Sequence, residues 1–298
     1  MTGRLEGEAG RSMLAVVRCG DNSLHESWTS GNCHFDFAIS YFGGAATKSF
    51  PGAAYVERRK GGKWDGLYGF FEAFPDVVEK YDYFWFPDDD IAADALEINR
   101  LIEIGHRHEL ALFQPALDEQ SYHSHLITLR HPSFTLRYSN FVEIMAPVLS
   151  RDLLKLALPT IAQSRSGFGL DFVWPELAAN LNQTGQARAA IIDSVTVRHT
   201  RPVGGSLHTF IKSLPGARST KEELESSINT VAAKSTSTIN GVSVPRIRMM
   251  GGLSSTNKKL TRVGIFARAL VDLTLKHRNK VQAVKTAAAL RHALKTLI

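Results

Sequence analysis

Three consecutive carboxylates, Asp88, Asp89 and Asp90, follow directly on the aromatic run YDYFWF at residues 81–86. Such a tripeptide, taken alone, suits a solvated turn or a helix cap. The run in front of it changes that reading: Tyr83, Phe84, Trp85 and Phe86 leave no polar face, the pattern of a strand covered on both sides. Side chains alternate along a strand, so Asp88 and Asp90 are expected to point the same way, with Asp89 turned aside. Open α/β sheets bind ligands outside the carboxyl ends of such strands. Oxygen ligands there suit Mg2+ or Mn2+, which keep positions free for substrate phosphates. The chemistry indicated is metal-assisted work on a phosphorylated substrate.

The elements that must hold these acids are legible as alternating patterns. Strand-like runs at 14–19, 35–42, 81–86, 109–117 and 189–199 are interleaved with helical patterns at 66–80, 91–107, 150–163 and 171–183. This alternation predicts an α/β fold, a mixed and mostly parallel sheet with helices on both faces. Met13 directly precedes the first strand-like run, so residues 1–12 read as a disordered leader and 13–212 as the core domain. Polar, Ser/Thr-rich sequence over 213–260 reads as a linker or mobile loops. Residues 251–298 hold ten Lys or Arg against the single acid Asp272, a charge of +9, which leaves −3 for residues 1–250 of a chain whose total is +6. Apolar residues recur among these cations at helical intervals, so 261–298 reads as a basic amphipathic tail suited to an anionic membrane surface or to packing on the core. No apolar run approaches the roughly 18 residues of a membrane span, and the opening residues have no apolar signal core, so the expected location is cytoplasmic, with a peripheral place at the inner membrane face open to the tail. Cys19 and Cys33 form neither a zinc spacing nor a disulfide framework. The pairs His106/His108 and His123/His125 lack Cys or Glu partners at ligand spacing and read as surface or loop residues.

Five segments together resemble a known family. GGKW (61–64), YDYFWFPDDDIAAD (81–94), FVEIMAPVLSRD (141–152), SGFGLDFVWPELA (166–178) and AIIDSVTVRHTRPVGG (190–205) resemble, in order and approximate spacing, the family catalogued as domain of unknown function 707. The resemblance covers roughly residues 13–210, leaving the sequence from about 215 outside it. The family's fold is similar to that of the GT-A glycosyltransferases, which implies a Rossmann-like, GT-A-like domain using a nucleotide-diphosphate sugar donor and a divalent metal. On that resemblance Asp88 and Asp90 match the metal-binding D-x-D, with Asp89 in its variable middle place. His199 matches the late histidine completing the metal shell, Asp171 the catalytic-base position, and Glu143 a further acid near it.

Those residue types also suit the chemistry directly. Sugar transfer from a nucleotide diphosphate needs the charge on the departing diphosphate stabilised and the proton of the attacking hydroxyl removed. Asp171 follows the small-residue run SRSGFG and opens an apolar helical stretch, which would set its carboxylate at a helix N-terminus; in isolation the same position reads as an N-cap. His199, in isolation, reads as a hydrogen-bonded histidine ending a strand. For the donor, Lys63 in its glycine-flanked loop is a candidate for phosphate or ribose, Arg18 and Asp21 follow the first strand where a nucleotide base lies, Tyr41 is a candidate for stacking on that base, and Arg198 and Arg201 flank His199 as candidates for the diphosphate. The expected activity is transfer of a sugar to a saccharide or lipid-linked acceptor in surface polysaccharide or glycoconjugate synthesis, without a nucleic-acid partner. Two alternatives stay open. A haloacid-dehalogenase-type phosphotransferase or phosphatase would use the Asp pair, although Ala92 stands where that chemistry expects Thr or Val. A non-catalytic GT-A-like protein would bind nucleic acid or membrane through its tail.

Overall fold

Met13, Ala15, Val17 and Cys19 pack into one apolar cluster while Leu14 and Val16 pack into another. A strand whose two sides are both buried must lie inside a sheet covered on both faces. The computed structural model of the protein describes residues 12–181, 189–203, 218–231 and 236–268. All but Ser12 of the expected leader, and the basic tail beyond 268, lie outside the described residues.

The chain runs β1 (Met13–Cys19), α1 (His25–Trp28), β2 (Asp36–Tyr41), β3 (Tyr55–Arg58), α2 (Lys63–Ala73), β4 (Tyr83–Trp85), β5 (Ile91–Ala92), α3 (Ala95–Arg107) and β6 (Leu112–Leu117). It continues with β7 (Phe134–Ser139), β8 (Val148–Ser150), α4 (Arg151–Gln163), α5 (Leu170–Asn180), β9 (Ala189–His199), α6 (Thr220–Ile228), β10 (Thr236–Ile239), β11 (Val242–Pro245), β12 (Met249–Ser254) and β13 (Lys259–Thr261). The main sheet has the order β13-β12-β7-β9-β6-β8-β4-β1-β2-β3, with β5 attached to β9. Pairing is parallel from β4 through β1 and β2 to β3, and again between β6 and β9. It is antiparallel where β8 joins β4 to β6 and where β7, β12 and β13 extend the far side. Ile98, Leu101 and Ile102 of α3 join one apolar cluster, whereas α2, α4 and α5 send Leu67, Phe70, Leu153, Leu154 and Trp174 into the other. The fold is therefore the expected mixed α/β sheet with helices on both faces.

Helix starts follow local chemistry. Asp94 caps α3 by accepting from the Glu97 N–H (2.8 Å), and Ser150 caps α4 through the Leu153 N–H (3.3 Å). Ser219 and Glu222 make a reciprocal capping box at the start of α6.

Residues 213–260 differ from the expected linker. Their described parts contain α6, strands β10, β11 and β12 and the start of β13, and β12 joins the main sheet by pairing with β7, Gly252 facing Arg137. The polar composition misleads because β10, β12 and β13 carry Ser, Thr, Gly and Lys, whereas the burial is done by few residues: Leu224, Val242, Val244, Met249 and Ile265 complete a third apolar cluster with Phe134, Phe141, Phe172 and Ile191. No helix among the described residues is long and apolar enough to cross a membrane.

Candidate metal and acid site

The three aspartates do not sit on a strand. Strand β4 ends at Trp85, although the Phe86 and Asp88 N–H groups still donate to the Pro147 (2.9 Å) and Met145 (2.8 Å) carbonyls in the same register; Pro87 cannot donate to a ladder, and Asp88 to Ile91 form a turn closed by the Ile91 N–H on the Asp88 carbonyl (3.3 Å). Convergence of Asp88 and Asp90 thus comes from this turn, not from strand alternation. The turn is fixed from the far end of the chain, because β5 pairs antiparallel with the last residues of β9, Ile91 opposite His199 and Ala92 opposite Arg198. The Thr200 N–H and hydroxyl both donate to the Asp90 carbonyl, at 3.1 and 2.8 Å. One ligand atom from each of Asp88, Asp90 and His199 lies within 4.8 Å of the other two.

His199 is oriented for a ligand role. Its Nδ1 stands 2.9 Å from the Tyr122 carbonyl, which has only acceptor capacity, so Nδ1 carries the proton and Nε2 faces the Asp90 Oδ2 at 3.3 Å. Burial opposes charge on the imidazole, but the hydrogen bond and charge of Asp90 outweigh it and raise the His199 pKa. Burial likewise works to raise Asp90, and the hydrogen bond and charge of His199 reverse it, leaving Asp90 depressed. Both shifts describe one ion pair, which a divalent cation would replace by taking the imidazole lone pair and the carboxylate together. Two carboxylates and an imidazole form a donor set that suits Mn2+ or Mg2+.

Lys63 is part of this cluster. Instead of lying in a flexible loop it is the first residue of α2 and is buried, its ammonium donating to Asp88 Oδ1 (2.6 Å) and to the carbonyls of Ile144 (2.7 Å) and Met145 (3.1 Å). Burial lowers its pKa, and Asp88 opposes that. Asp89 is turned aside as expected, and its carboxylate accepts from the Gly20 N–H (2.8 Å) and from Arg201 (3.1 Å), tying the turn to the end of β1.

A second pair of acids adjoins the first. Glu143 is buried, its backbone N–H donates to Gln114 Oε1 (2.6 Å), and its Oε2 has no hydrogen-bond partner among the described residues. Burial first, and then the charge of Asp171, push it up to about 8, while His199 and Asp88 also act on it electrostatically. Asp171 is in the first turn of α5; the residue is partly exposed, yet its Oδ1 is closed off from solvent and has no partner among the described residues. Burial raises Asp171 to about 7, against backbone N–H groups at the helix start that work to lower it.

The loop before Asp171 is clamped on both sides. Gly167 (φ +79) lies where an added Cβ would meet the Trp64 indole at 2.0 Å, and Gly169 (φ +94) where it would meet the Ser227 Cβ at 2.6 Å. From α6, the buried Glu223 accepts from the Ser166 N–H (2.8 Å), the Ser164 hydroxyl (3.3 Å) and the Ser166 hydroxyl, while Ser227 donates to the Phe168 carbonyl (3.1 Å). The sequence reading did not single out Glu223, although the S-T-K-E capping pattern at 219–222 marks its helix.

The remaining donor candidates divide. Arg18 is not available to a nucleotide: its guanidinium donates to the carbonyls of Gly62 (3.0 Å), Ser40 (3.0 Å), Arg59 (2.6 Å) and Gly61 (2.9 Å) and to the Ser40 hydroxyl (3.1 Å), which engages every N–H it has. Its task is to hold the loop into α2. Tyr41 is 3% exposed and packs on Phe50 (5.2 Å) and beneath the Arg58 guanidinium (5.0 Å), so its ring faces are taken. Asp21 remains exposed on the loop after β1, accepting from the Gly44 N–H (2.9 Å) and Tyr41 hydroxyl, which hold its pKa down. Arg198 alternates to the face opposite His199 and pairs with Asp118 (2.6 Å), whereas Arg201 pairs with Asp89 of the acid turn (3.1 Å).

A family model described as a protein of unknown function, DUF707, matches residues 33–240, extending past the point near 215 where the sequence resemblance was expected to end. No curated protein matches the chain. Among solved structures, S. aureus TarS 1-349 in complex with UDP is similar at 10% identity over 73% of this chain and 71% of that one, with a TM-score of 0.42. Glucosyl-3-phosphoglycerate synthase from Mycobacterium tuberculosis, in complex with Mn2+, UDP and glucosyl-3-phosphoglycerate, is similar at 14% identity over 65% and 74%, with a TM-score of 0.40. The protein A197 from STIV is similar at 13% identity over 63% and 85%, with a TM-score of 0.32.

Proposed function

The chain belongs to the DUF707 family of proteins of unknown function, and from the site built on its fold we propose that it is a metal-dependent glycosyltransferase. It moves a sugar from a nucleotide-diphosphate donor to a saccharide or glycolipid acceptor, in surface polysaccharide or glycoconjugate synthesis. The observation that carries this reading is the convergence of Asp88, Asp90 and His199 donor atoms within 4.8 Å at the mouth of the sheet. Mn2+ or Mg2+ held there supplies Lewis-acid stabilisation of the diphosphate leaving group.

The chain's own residues account for the rest. Asp171, raised to about 7, is matched to accept a proton near neutral pH. It takes the proton of the acceptor hydroxyl as that oxygen bonds to the anomeric carbon, and the bond from that carbon to the diphosphate oxygen breaks with its electron pair leaving on the nucleotide. Glu143, raised to about 8, keeps its proton at neutral pH and serves as a hydrogen-bond donor beside the base. Asp21 is the donor-side residue still open to a base or ribose. The basic tail is assigned to an anionic membrane surface bearing the acceptor, at the cytoplasmic face.

The deciding experiment is a thermal-shift screen of nucleotide sugars and of UDP and GDP, with and without Mn2+. A ligand at 100 times its dissociation constant adds about 2.7 kcal/mol of stability. A shift that needs both nucleotide and Mn2+ supports the proposal; equal responses with and without the ion for every nucleotide would sink it.

A further inference from the structure

Asp88 is occupied. A buried ammonium lies 2.6 Å from its Oδ1, and the same ammonium is anchored by the Ile144 and Met145 carbonyls, so Lys63 has no rotamer freedom with which to move aside. A divalent ion bound to the other oxygen of that carboxylate would face a like charge across one carboxyl group, buried on its Lys63 side (9% exposed) and partly open on the Asp88 side (34% exposed). Among the described residues no ammonium or guanidinium is hydrogen-bonded to Asp90 or His199, which pair with each other (3.3 Å); Arg201 reaches Asp90 Oδ2 only through its backbone N–H (3.1 Å) and acts on it by charge from further off.

We propose that Lys63 makes metal binding conditional on the donor, by keeping Asp88 neutralised until a nucleoside diphosphate arrives. This rests on the metal-dependent reading above and adds to it the order in which the site fills. Without nucleotide, Asp90 and His199 are the effective ligands and hold the ion weakly. A diphosphate would bring negative charge to both cations at once and so offset the repulsion between ion and ammonium. Lys63 keeps its three N–H bonds to Asp88 and the two carbonyls throughout and acts on the incoming diphosphate through its charge alone. After sugar transfer, loss of the nucleoside diphosphate restores the repulsion and loosens the ion, which couples product release to metal release.

The test is direct Mn2+ binding, read by electron paramagnetic resonance of the free ion, with and without UDP or GDP. Wild type should bind Mn2+ weakly alone and at least tenfold more tightly with one of the nucleotides. Lys63→Met should raise nucleotide-free Mn2+ affinity by at least about tenfold and shrink the nucleotide's effect. Because a buried lysine variant can fail to fold, the double variant Lys63→Met, Asp88→Asn, which leaves no unpaired charge, is measured beside it. It should bind nucleotide-free Mn2+ as wild type does, since a neutralised Asp88 contributes little there. Unchanged or weaker nucleotide-free binding by folded Lys63→Met, or a tenfold loss in the double variant, would overturn the role of Lys63 while leaving the metal site standing. Absence of Mn2+ uptake by every form, with or without nucleotide, would overturn both, and so is told apart from failure of the Lys63 assignment alone.

Discussion

Two carboxylic acids held neutral inside a protein leave a signature in its stability. Glu143 and Asp171, at about 8 and about 7, keep protons that the unfolded chain has already released at ordinary carboxylate pKa values. Between about pH 4 and pH 7 the native state therefore binds more protons than the unfolded state, and stability falls as pH rises, by up to about 1.4 kcal/mol per pH unit for each group. Urea midpoints measured in EDTA from pH 5 to pH 8 should fall across that range, and Glu143→Gln should flatten the slope; a slope unaltered in that variant would place the protons elsewhere. At the same site, Asp90→Ala should abolish the Mn2+-dependent thermal shift. Asp171→Asn should keep donor binding and lose transfer; normal turnover in that variant would remove the base assignment. Asp88 and Asp90 drew attention by type and place, as acids after an apolar run, whereas His199 was singled out only through the family resemblance, since alone it reads as a hydrogen-bonded histidine ending a strand; the three do cluster. Arg18 and Tyr41 were misread: a sequence shows that a side chain can bind a ligand, but not that the Gly61–Gly62 loop or the Phe50 ring has already claimed it.

Among elements, α6 has the largest effect per residue on the site. Its Glu223 gathers an N–H and two hydroxyls of the loop leading to Asp171. Glu223→Ala strands those donors in a buried place, so it should cost about 1–3 kcal/mol, measured by urea denaturation. It should also free the loop, seen as faster amide exchange at 164–169. Wild-type protection in the variant would mean that the glycine turns at Gly167 and Gly169 suffice. The five strands and four helices expected from periodicity all exist, because each buries enough apolar side chain to show its period. Strands β3, β5 and β8 escaped notice because two to four residues are too few to display one. Nor can a pattern of polar residues reveal that β12 is held by its backbone ladder to β7.

For the molecule as a whole, the antiparallel side of the sheet carries a buried ion pair beside its ladders and apolar cluster. Arg137 on β7 donates to both carboxylate oxygens of Asp193 on β9, at 2.7 and 2.8 Å, and to the Leu129 carbonyl (2.8 Å). Asp193→Ala would leave that guanidinium charged and uncompensated, and should cost about 3–5 kcal/mol in urea denaturation. A chain cut at residue 212 should fail to unfold cooperatively, because it lacks the strand that covers β7 and the residues that close the third apolar cluster. The two-residue bridge between β5 and the end of β9 has a further consequence, in time as well as in space. Asp90 is translated 109 residues before His199, so a nascent chain carries both aspartates long before it owns the imidazole that orients them. During synthesis the half-made protein therefore lacks the complete cluster of two aspartates and an imidazole, which assembles only once the last strand of the bridge has left the ribosome.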